Sequence, residues 1–147
     1  MKALILAFAV ALTGFAAQIK DHPRVEFELR LAESQPADGL VEATFEDSKY
    51  YLHEKAVITN KDILDAQAVE GIREGVFSIE ITLSPEGAAN LATATKGKAG
   101  KIMAILLNGE IKSAATLIGD LSSNVLVISG NFNREQAEKL ADGIKSK

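Results

Sequence analysis

Two segments of the chain alternate between apolar and polar or charged side chains, which is the pattern of a half-buried β-strand. The first covers residues 25–31 and the second covers residues 77–83. Residues 102–107 are apolar throughout, which indicates a strand that is buried on both faces. Shorter runs predict strands at residues 50–53 and 125–128, and a short edge strand near 41–45.

Residues that favour turns and helix starts predict how these strands are connected. Asn108-Gly109 favours the positive backbone angles of a two-residue hairpin turn, so we expect residues 110–117 to return beside the preceding strand. Ser84-Pro85-Glu86 combines a capping hydroxyl, a proline in the first turn and an acidic side chain near the positive end of a helix. This helix should end at about Lys96, before the glycines that follow.

Two further helices are predicted from capping residues. Asn133 opens the last helix, and Gln136 is placed three residues later to complete a capping box. Its inward stripe is Ala137, Leu140, Ala141 and Ile144. Thr59 or Asn60 caps a brief helix. Its buried side would be Ile63, Leu64 and Ala66. The order of elements predicts a single-domain α+β fold with helices packed on one face of a mostly antiparallel sheet.

The N-terminal segment has the layout of a cleavable signal peptide. A basic residue is followed by a short apolar run, and small residues at Gly14 and Ala16 fit cleavage after Ala16, with Ala17 as the neighbouring alternative. The run is shorter than the roughly 20 apolar residues that span a bilayer. We expect residues 1–16 to be the signal peptide and residues 17–147 the domain. The alternative is a buried first helix.

The signal peptide predicts an exported protein, located in the periplasm or outside the cell, without stable membrane insertion of the mature chain.

The amino-acid composition excludes several classes of protein and of site. The 147 residues are 47% hydrophobic and 24% charged, as in ordinary globular domains. No cysteine is present, which excludes disulfides and thiolate metal sites. The net charge of −4 is made of scattered charges of both signs, so we expect no nucleic-acid partner.

Side chains that could carry chemistry do not form a known motif. The two histidines, His22 and His53, are far apart and a zinc site needs three or four ligands. Glu26 and Glu28 share a strand face with Arg30, which indicates a solvated outer surface. No serine stands in a Gly-x-Ser-x-Gly or Ser-x-x-Lys pattern. The serines considered are Ser113, Ser122, Ser123 and Ser129. We predict no catalytic, cofactor-binding or metal-binding residue and can assign no ligand-binding residue.

Several short motifs occur in one order along nearly the whole chain, over about residues 25–144. They are Tyr51-Leu52-His53, Ile58-Thr59-Asn60-Lys61-Asp62-Ile63, Ser84-Pro85-Glu86-Gly87-Ala88, Ala104-Ile105-Leu106-Leu107-Asn108-Gly109, and Ile128-Ser129-Gly130-Asn131-Phe132 with Glu135-Gln136-Ala137-Glu138. Together they resemble the head part of the first periplasmic domain of SecD. SecD is the membrane subunit that assists protein export through the Sec translocon.

The resemblance implies an α+β head, an exported location, and contact with extended polypeptide or a partner protein without covalent chemistry. Some positions differ from the family pattern. An aspartate is common where this chain has Asn108, a proline where it has Ala115, and a Gly-Gly pair where it has Ser122 and Ser123 nearby. SecD couples proton flow to export through transmembrane helices. No segment after the predicted signal is apolar and long enough for that role, so proton-driven translocation is not implied here.

We therefore expect a non-enzymatic, extracytoplasmic binding module that holds peptide or protein at an exposed strand edge or hairpin. One alternative is a small secreted hydrolase with His53 as the base and a loop serine as the nucleophile. Another is an accessory or inhibitory subunit of an envelope peptidase or transporter. A deep pocket with convergent polar side chains would favour the hydrolase, whereas a shallow sheet edge would favour the binding module.

Overall fold

The computed structural model describes residues 23–119 and 121–146. Within these residues the chain forms nine strands, one 3-10 turn (Asn60–Asp62) and two α-helices. The strands are β1 (Phe27–Glu33), β2 (Val41–Phe45), β3 (Ser48–Leu52), β4 (Ile58–Thr59), β5 (Ile63–Glu70), β6 (Phe77–Leu83), β7 (Ile102–Leu107), β8 (Glu110–Thr116) and β9 (Val125–Phe132). The helices are α1 (Pro85–Thr95) and α2 (Arg134–Lys145). The predicted signal peptide, with its cleavage positions Ala16 and Ala17, lies outside the described residues.

The strands pair antiparallel and form two sheets. The larger sheet has the order β2-β3-β1-β7-β8, and β4 pairs with β1 beside β3. The smaller sheet has the order β5-β6-β9. The α+β class and the antiparallel pairing are confirmed, but the prediction of one sheet is wrong. Both edges of β1 and of β7 are occupied by other strands of the larger sheet, so neither is available to β6. β6 pairs with β5 and β9 in a separate sheet.

Two apolar cores lie on opposite faces of the larger sheet. The main core joins that sheet to the smaller sheet and to both helices, and includes Phe27, Ile79, Leu91 and Ile144. The second core lies inside the curl of the larger sheet, whose edge strands β2 and β8 approach each other. Residues of β7 alternate between the two cores. This confirms the prediction that residues 102–107 are buried on both faces.

A strand, β5, occupies the place where the sequence pattern predicts a brief helix. Only Asn60–Asp62 is helical, as a 3-10 turn. Ile63 and Ala66 are buried as predicted, whereas Leu64 is 61% exposed. The strand has a bulge between Ile63 and Asp65. Because of the extra residue at the bulge, Ile63 and Ala66 lie on the same face although they are three positions apart. This spacing is also typical of one face of a helix.

The predicted hairpin turn and the predicted caps of the two α-helices are confirmed. Ser84 Oγ accepts a hydrogen bond from Gly87 N at 3.0 Å at the start of α1. At the start of α2, Asn133 Oδ1 accepts a hydrogen bond from Gln136 N at 2.8 Å, and Gln136 Oε1 accepts one from Asn133 N at 3.0 Å. Asn108 has a φ of +51° in the β7–β8 hairpin, which is the left-handed conformation that such a turn requires.

Candidate functional site

The motif around Asn60 lies at the junction of three chain segments. Asn60 Oδ1 accepts a hydrogen bond from Phe27 N at 2.8 Å, at the start of β1. Its Nδ2 donates to Val25 O and to Ile144 O, both at 2.9 Å. The last carbonyl groups of a helix lack partners within the helix. Asn60 therefore satisfies one end of α2 while holding the start of β1 beside it.

The same junction contains the start of α1. Asp62 Oδ2 accepts from Thr59 N at 3.0 Å, and its backbone carbonyl accepts from Ser84 N at 2.8 Å. A Cβ at Gly87 would lie 2.9 Å from the Cβ of Asp62, so the first turn of α1 rests directly on the 3-10 turn. These polar groups are engaged within the fold and are not free to bind a ligand.

Close backbone packing completes this junction. Gly143 O accepts from Val25 N at 2.9 Å. A Cβ at Gly143 would lie 2.6 Å from Pro23 O, so a side chain has no room there. We call the set Asn60, Asp62, Ser84, Gly87 and Gly143 the internal joint. It connects β1, both helices and the turn before β5.

His53 belongs to a surface ion-pair cluster. Its Nε2 lies 2.8 Å from Glu33 Oε2, and Lys101 Nζ donates to Glu33 Oε1 at 2.8 Å. Hydrogen bonds from His53 and then from Lys101 stabilise the ionised carboxylate and lower the pKa of Glu33 below its usual value. His53 therefore has a carboxylate partner at Nε2.

The structure brings none of the four serines considered above to His53. The two cavities beside His53 are lined by neither Ser113, Ser122, Ser123 nor Ser129. Ser123 Oγ is bonded to the backbone of Val125. His22 lies outside the described residues. In residues 23–119 and 121–146, no group of three or more His, Cys, Asp or Glu side chains could hold a metal ion. None of these four serines is therefore placed as the nucleophile of the hydrolase alternative, although the loop residue Ser34 lines one cavity with His53.

Glu28 and Arg30 are less exposed than the strand pattern predicts. Arg30 Nη2 donates to Glu28 Oε2 at 2.5 Å, and the two side chains are 19% and 16% exposed. Arg30 Nη1 donates to the carbonyl groups of His53 and Glu54. The segment after β3 folds over this part of β1. The prediction of a fully solvated face is therefore wrong at these two positions.

An apolar groove of about 480 Å³ lies between β8 and β9. Buried side chains of β1 and β7 form its floor, and residues of β8, β9 and the segment between them form its walls. The floor is Leu29, Met103 and Ile105. The walls include Ser113, Ala115, Leu117, Ile118, Leu121, Leu126 and Val127. We call this feature the β8–β9 groove.

Both strands that flank the groove are sheet edges. In the described part of the chain, β8 pairs only with β7, although β2 approaches β8 without pairing, and β9 pairs only with β6. An edge strand presents backbone N–H and C=O groups that can pair with another chain. Apolar side chains are exposed beside them: Ile118 is 98% exposed and Val127 is 51% exposed. Ala115, where the family pattern often has proline, lies in the wall of this groove.

A second cavity of about 520 Å³ lies between α1 and the segment that joins β3 to the 3-10 turn. It shares no lining residue with the β8–β9 groove. Leu31, Val57 and Ala94 contribute apolar surface. The polar lining includes His53, Lys55, Thr59, Lys61, Asn90 and Thr93.

Comparison with known proteins identifies the family. The family model for the SecDF P1 head subdomain matches residues 33–146. This chain belongs to the SecDF P1 head family. The resemblance that the sequence motifs indicate is therefore confirmed.

The chain is also similar in sequence to two protein translocase subunits. The chain is 31% identical over 113 residues to the protein translocase subunit SecDF of Brucella abortus biovar 1 (strain 9-941). It is 31% identical over 111 residues to the protein translocase subunit SecD of Elusimicrobium minutum (strain Pei191). Each match covers 76% of this chain, but only 15% and 23% of the relatives. The chain thus corresponds to a small part of these proteins.

Solved structures share the fold of the head. SecDF in a super-membrane-facing form superimposes with a TM-score of 0.67 at 23% identity, over 84% of this chain and 19% of that one. A structure of SecDF described as a membrane component that enhances protein export gives a TM-score of 0.65 at 21% identity, over 84% and 63% of the two chains. Among the helices described here, none is long and apolar enough to cross a membrane.

Proposed function

We propose that this head domain is a non-enzymatic binding module that acts outside the cytoplasm and holds extended segments of protein in the β8–β9 groove. The observation that carries the proposal is the pair of sheet edges beside an apolar floor. An extended peptide can pair its backbone with a free strand edge. Every second side chain of the peptide then points to the same side, where the apolar floor can accept it.

The family supports this choice of partner. The relatives are subunits of a protein translocase, and one related structure is of a membrane component that enhances protein export. A protein that crosses a membrane through a translocase is unfolded and exposes backbone and apolar side chains. These are the two features that the groove is suited to bind. We propose an unfolded protein as the partner of this chain, and we do not propose the activity of a whole translocase subunit for it.

Binding can be tested with a permanently unfolded probe, a reduced and carboxymethylated protein carrying a fluorescent label. The purified full chain should bind it, and Val127→Lys should weaken binding about tenfold. Burying an apolar side chain of this size contributes about 1.5–3 kcal/mol, and about 1.4 kcal/mol corresponds to a factor of ten. Leu64→Lys is the matched control, because Leu64 is 61% exposed on β5 at the other edge of the same sheet.

Equal loss of binding in the two variants would mean that the probe attaches to exposed apolar surface in general, and would contradict the proposal. A folded version of the probe serves to test the accessory-subunit alternative, since such a subunit should bind a folded partner at least as well. His53→Ala tests the hydrolase alternative, because an enzyme with His53 as its base should lose activity in this variant. We expect it to leave probe binding unchanged.

Extracytoplasmic location rests on the predicted signal peptide in residues 1–16. Expression of the full chain in a bacterial host, followed by N-terminal sequencing of the protein released from the envelope, tests it. We expect the mature chain to start at Ala17 or Gln18, after cleavage at Ala16 or Ala17. Recovery of the intact N-terminus in the cytosol would contradict this location.

A further inference from the structure

The cavity between α1 and the β3–β4 segment has a basic rim above an apolar floor. We propose that it binds an anionic group attached to a short apolar chain, most simply a carboxylate. This site is separate from the β8–β9 groove, and the proposal goes beyond the function proposed above. Its volume of about 520 Å³ is within the range of small-ligand pockets, about 300–1,000 Å³.

The charge of the cavity is opposite to that of the whole chain. Lys55 and Lys61 line it, and neither forms an ion pair with any residue in the described ranges. Asp62 is the acidic side chain in the lining, but it is 5% exposed and its carboxylate accepts the Thr59 N–H. The net charge of the chain is −4. Two unpaired cations at one cavity therefore favour an anionic ligand.

The walls of the cavity are held by the fold. Arg30 donates to the carbonyl groups of His53 and Glu54, and Val57 N donates to Leu29 O at 2.7 Å. These bonds hold the segment that carries Lys55 against β1. The internal joint holds the opposite wall, because Ser84 N at the start of α1 donates to Asp62 O at 2.8 Å. A cavity that is already formed loses little conformational entropy when a ligand binds.

The apolar part of the cavity lining favours an anion that is attached to an apolar chain. Leu31, Val57 and Ala94 provide an apolar surface next to the lysines. A bare inorganic anion would leave this surface uncovered, whereas a short aliphatic chain would bury it. Asn90 and Thr93 on α1 can donate further hydrogen bonds to the anion. The C-terminus of an apolar peptide and a free short-chain fatty acid both have this chemistry.

The test uses four probes with the full chain: a short apolar peptide with a free C-terminal carboxylate, the same peptide amidated, hexanoate, and inorganic phosphate. Binding is followed by NMR shifts of the Asn90 and Thr93 amides. We expect the free peptide, hexanoate or both to shift these signals, and the amidated peptide and phosphate to bind at least about fivefold more weakly. Response to hexanoate identifies free acids as a source, and response to the peptide alone identifies a peptide end.

Lysine variants locate the site. Lys55→Gln and Lys61→Gln should each weaken binding about two- to fivefold, as for partly exposed ion pairs. The control is Lys139→Gln, which likewise removes one positive charge, from α2. Val127→Lys should leave carboxylate binding unchanged, so this result is independent of the groove. The proposal would be overturned if neither carboxylate probe bound. Equal binding of the amidated peptide, equal binding of phosphate, or an equal effect of the control lysine would also overturn it.

Discussion

The internal joint and the β8–β9 groove use their hydrogen-bonding groups in opposite ways. At the joint, the Asn60 side chain makes three hydrogen bonds to the backbone, and a single added Cβ at Gly143 would collide with its neighbours. At the groove, β8 and β9 each keep an edge with no strand partner among the described residues, beside exposed apolar side chains. The hydrogen-bonding groups of the joint are therefore used within the fold, whereas the strand edges beside the groove have backbone groups without a strand partner.

The family resemblance and the proposed function therefore rest on different regions of the molecule. The motifs around Asn60 and Ser84 are among those that carry the family resemblance, yet their polar groups connect parts of the fold. The groove is lined by common apolar residues with no distinctive pattern. The residues by which a family is recognised are thus not necessarily those that meet a partner. The following variants test whether the two regions differ as the structure indicates.

The largest effect is expected for Asn60→Ala. It removes three hydrogen bonds and leaves two carbonyl groups and one N–H without these partners. The free energy of unfolding should fall by about 3 kcal/mol, since an unsatisfied buried group costs about 1–3 kcal/mol. Urea denaturation measures this change. Asn90→Ala, on the exposed face of α1, should change stability by less than about 0.5 kcal/mol. Similar losses in both variants would show that the joint is not special.

The next effect compares one substitution in both regions. Alanine at Gly143 places a Cβ 2.5 Å from Val25 Cγ2 and 2.6 Å from Pro23 O. Overpacking costs about 1–3 kcal/mol, whereas alanine in a helix gains up to about 1 kcal/mol over glycine. We expect Gly143→Ala to lower the free energy of unfolding by about 1–2 kcal/mol. Gly119→Ala, in the groove wall with nothing within 4 Å, should stay within about 0.5 kcal/mol. A stabilised Gly143→Ala would mean that the joint is loosely packed.

A smaller, pH-dependent effect is expected for Glu33→Gln. The folded-state pKa of Glu33 is lowered, so its ionised form stabilises the fold at neutral pH. This contribution is lost as the pH falls through the lowered pKa, below the usual 4.5. We expect Glu33→Gln to lose less than about 0.5 kcal/mol at pH 7, because the cluster is at the surface. Urea denaturation should show the difference from the unmodified chain shrinking in acid. Glu74→Gln, in the β5–β6 turn, is the control for the loss of one carboxylate. A Glu33→Gln difference that grew in acid would contradict the assignment.

The smallest effect on stability is expected for Val127→Lys. Val127 is 51% exposed, so a lysine there can extend into water. Thermal or urea unfolding should change by less than about 0.5 kcal/mol, although binding of the unfolded probe is expected to fall. A loss as large as that of Asn60→Ala would mean that the groove wall is part of the core, and the comparison between the two regions would fail.

Local rules predicted several elements of the fold correctly. The strict alternation in residues 77–83 corresponds to β6, and the caps at Ser84 and Asn133 start both helices. Asn108-Gly109 forms the predicted hairpin turn. These features depend on interactions within a few residues, so they can be read from short stretches of sequence. The brief helix was predicted wrongly, because the bulge in β5 gives Ile63 and Ala66 a helix-like spacing.

The candidate site was less predictable. The sequence indicated an exposed strand edge in general, but not β8 and β9. Their approach depends on how two separate sheets pack around Leu29, Met103 and Ile105. The apolar residues Ile118 and Leu121 were the available signal, because they lie beyond the end of the predicted strand at residue 117, where polar loop residues are common.

By itself the sequence determined the α+β class, most helix and strand positions, and membership of the SecDF P1 head family. Periodicity, caps and turns act over a few residues, and the family motifs are carried by the chain order itself. Only the tertiary structure decided that the strands form two sheets, that the motif polar groups are used inside the joint, and that two sheet edges remain beside a groove. Which strand pairs with which, and which edge stays free, depends on contacts between residues far apart in the chain.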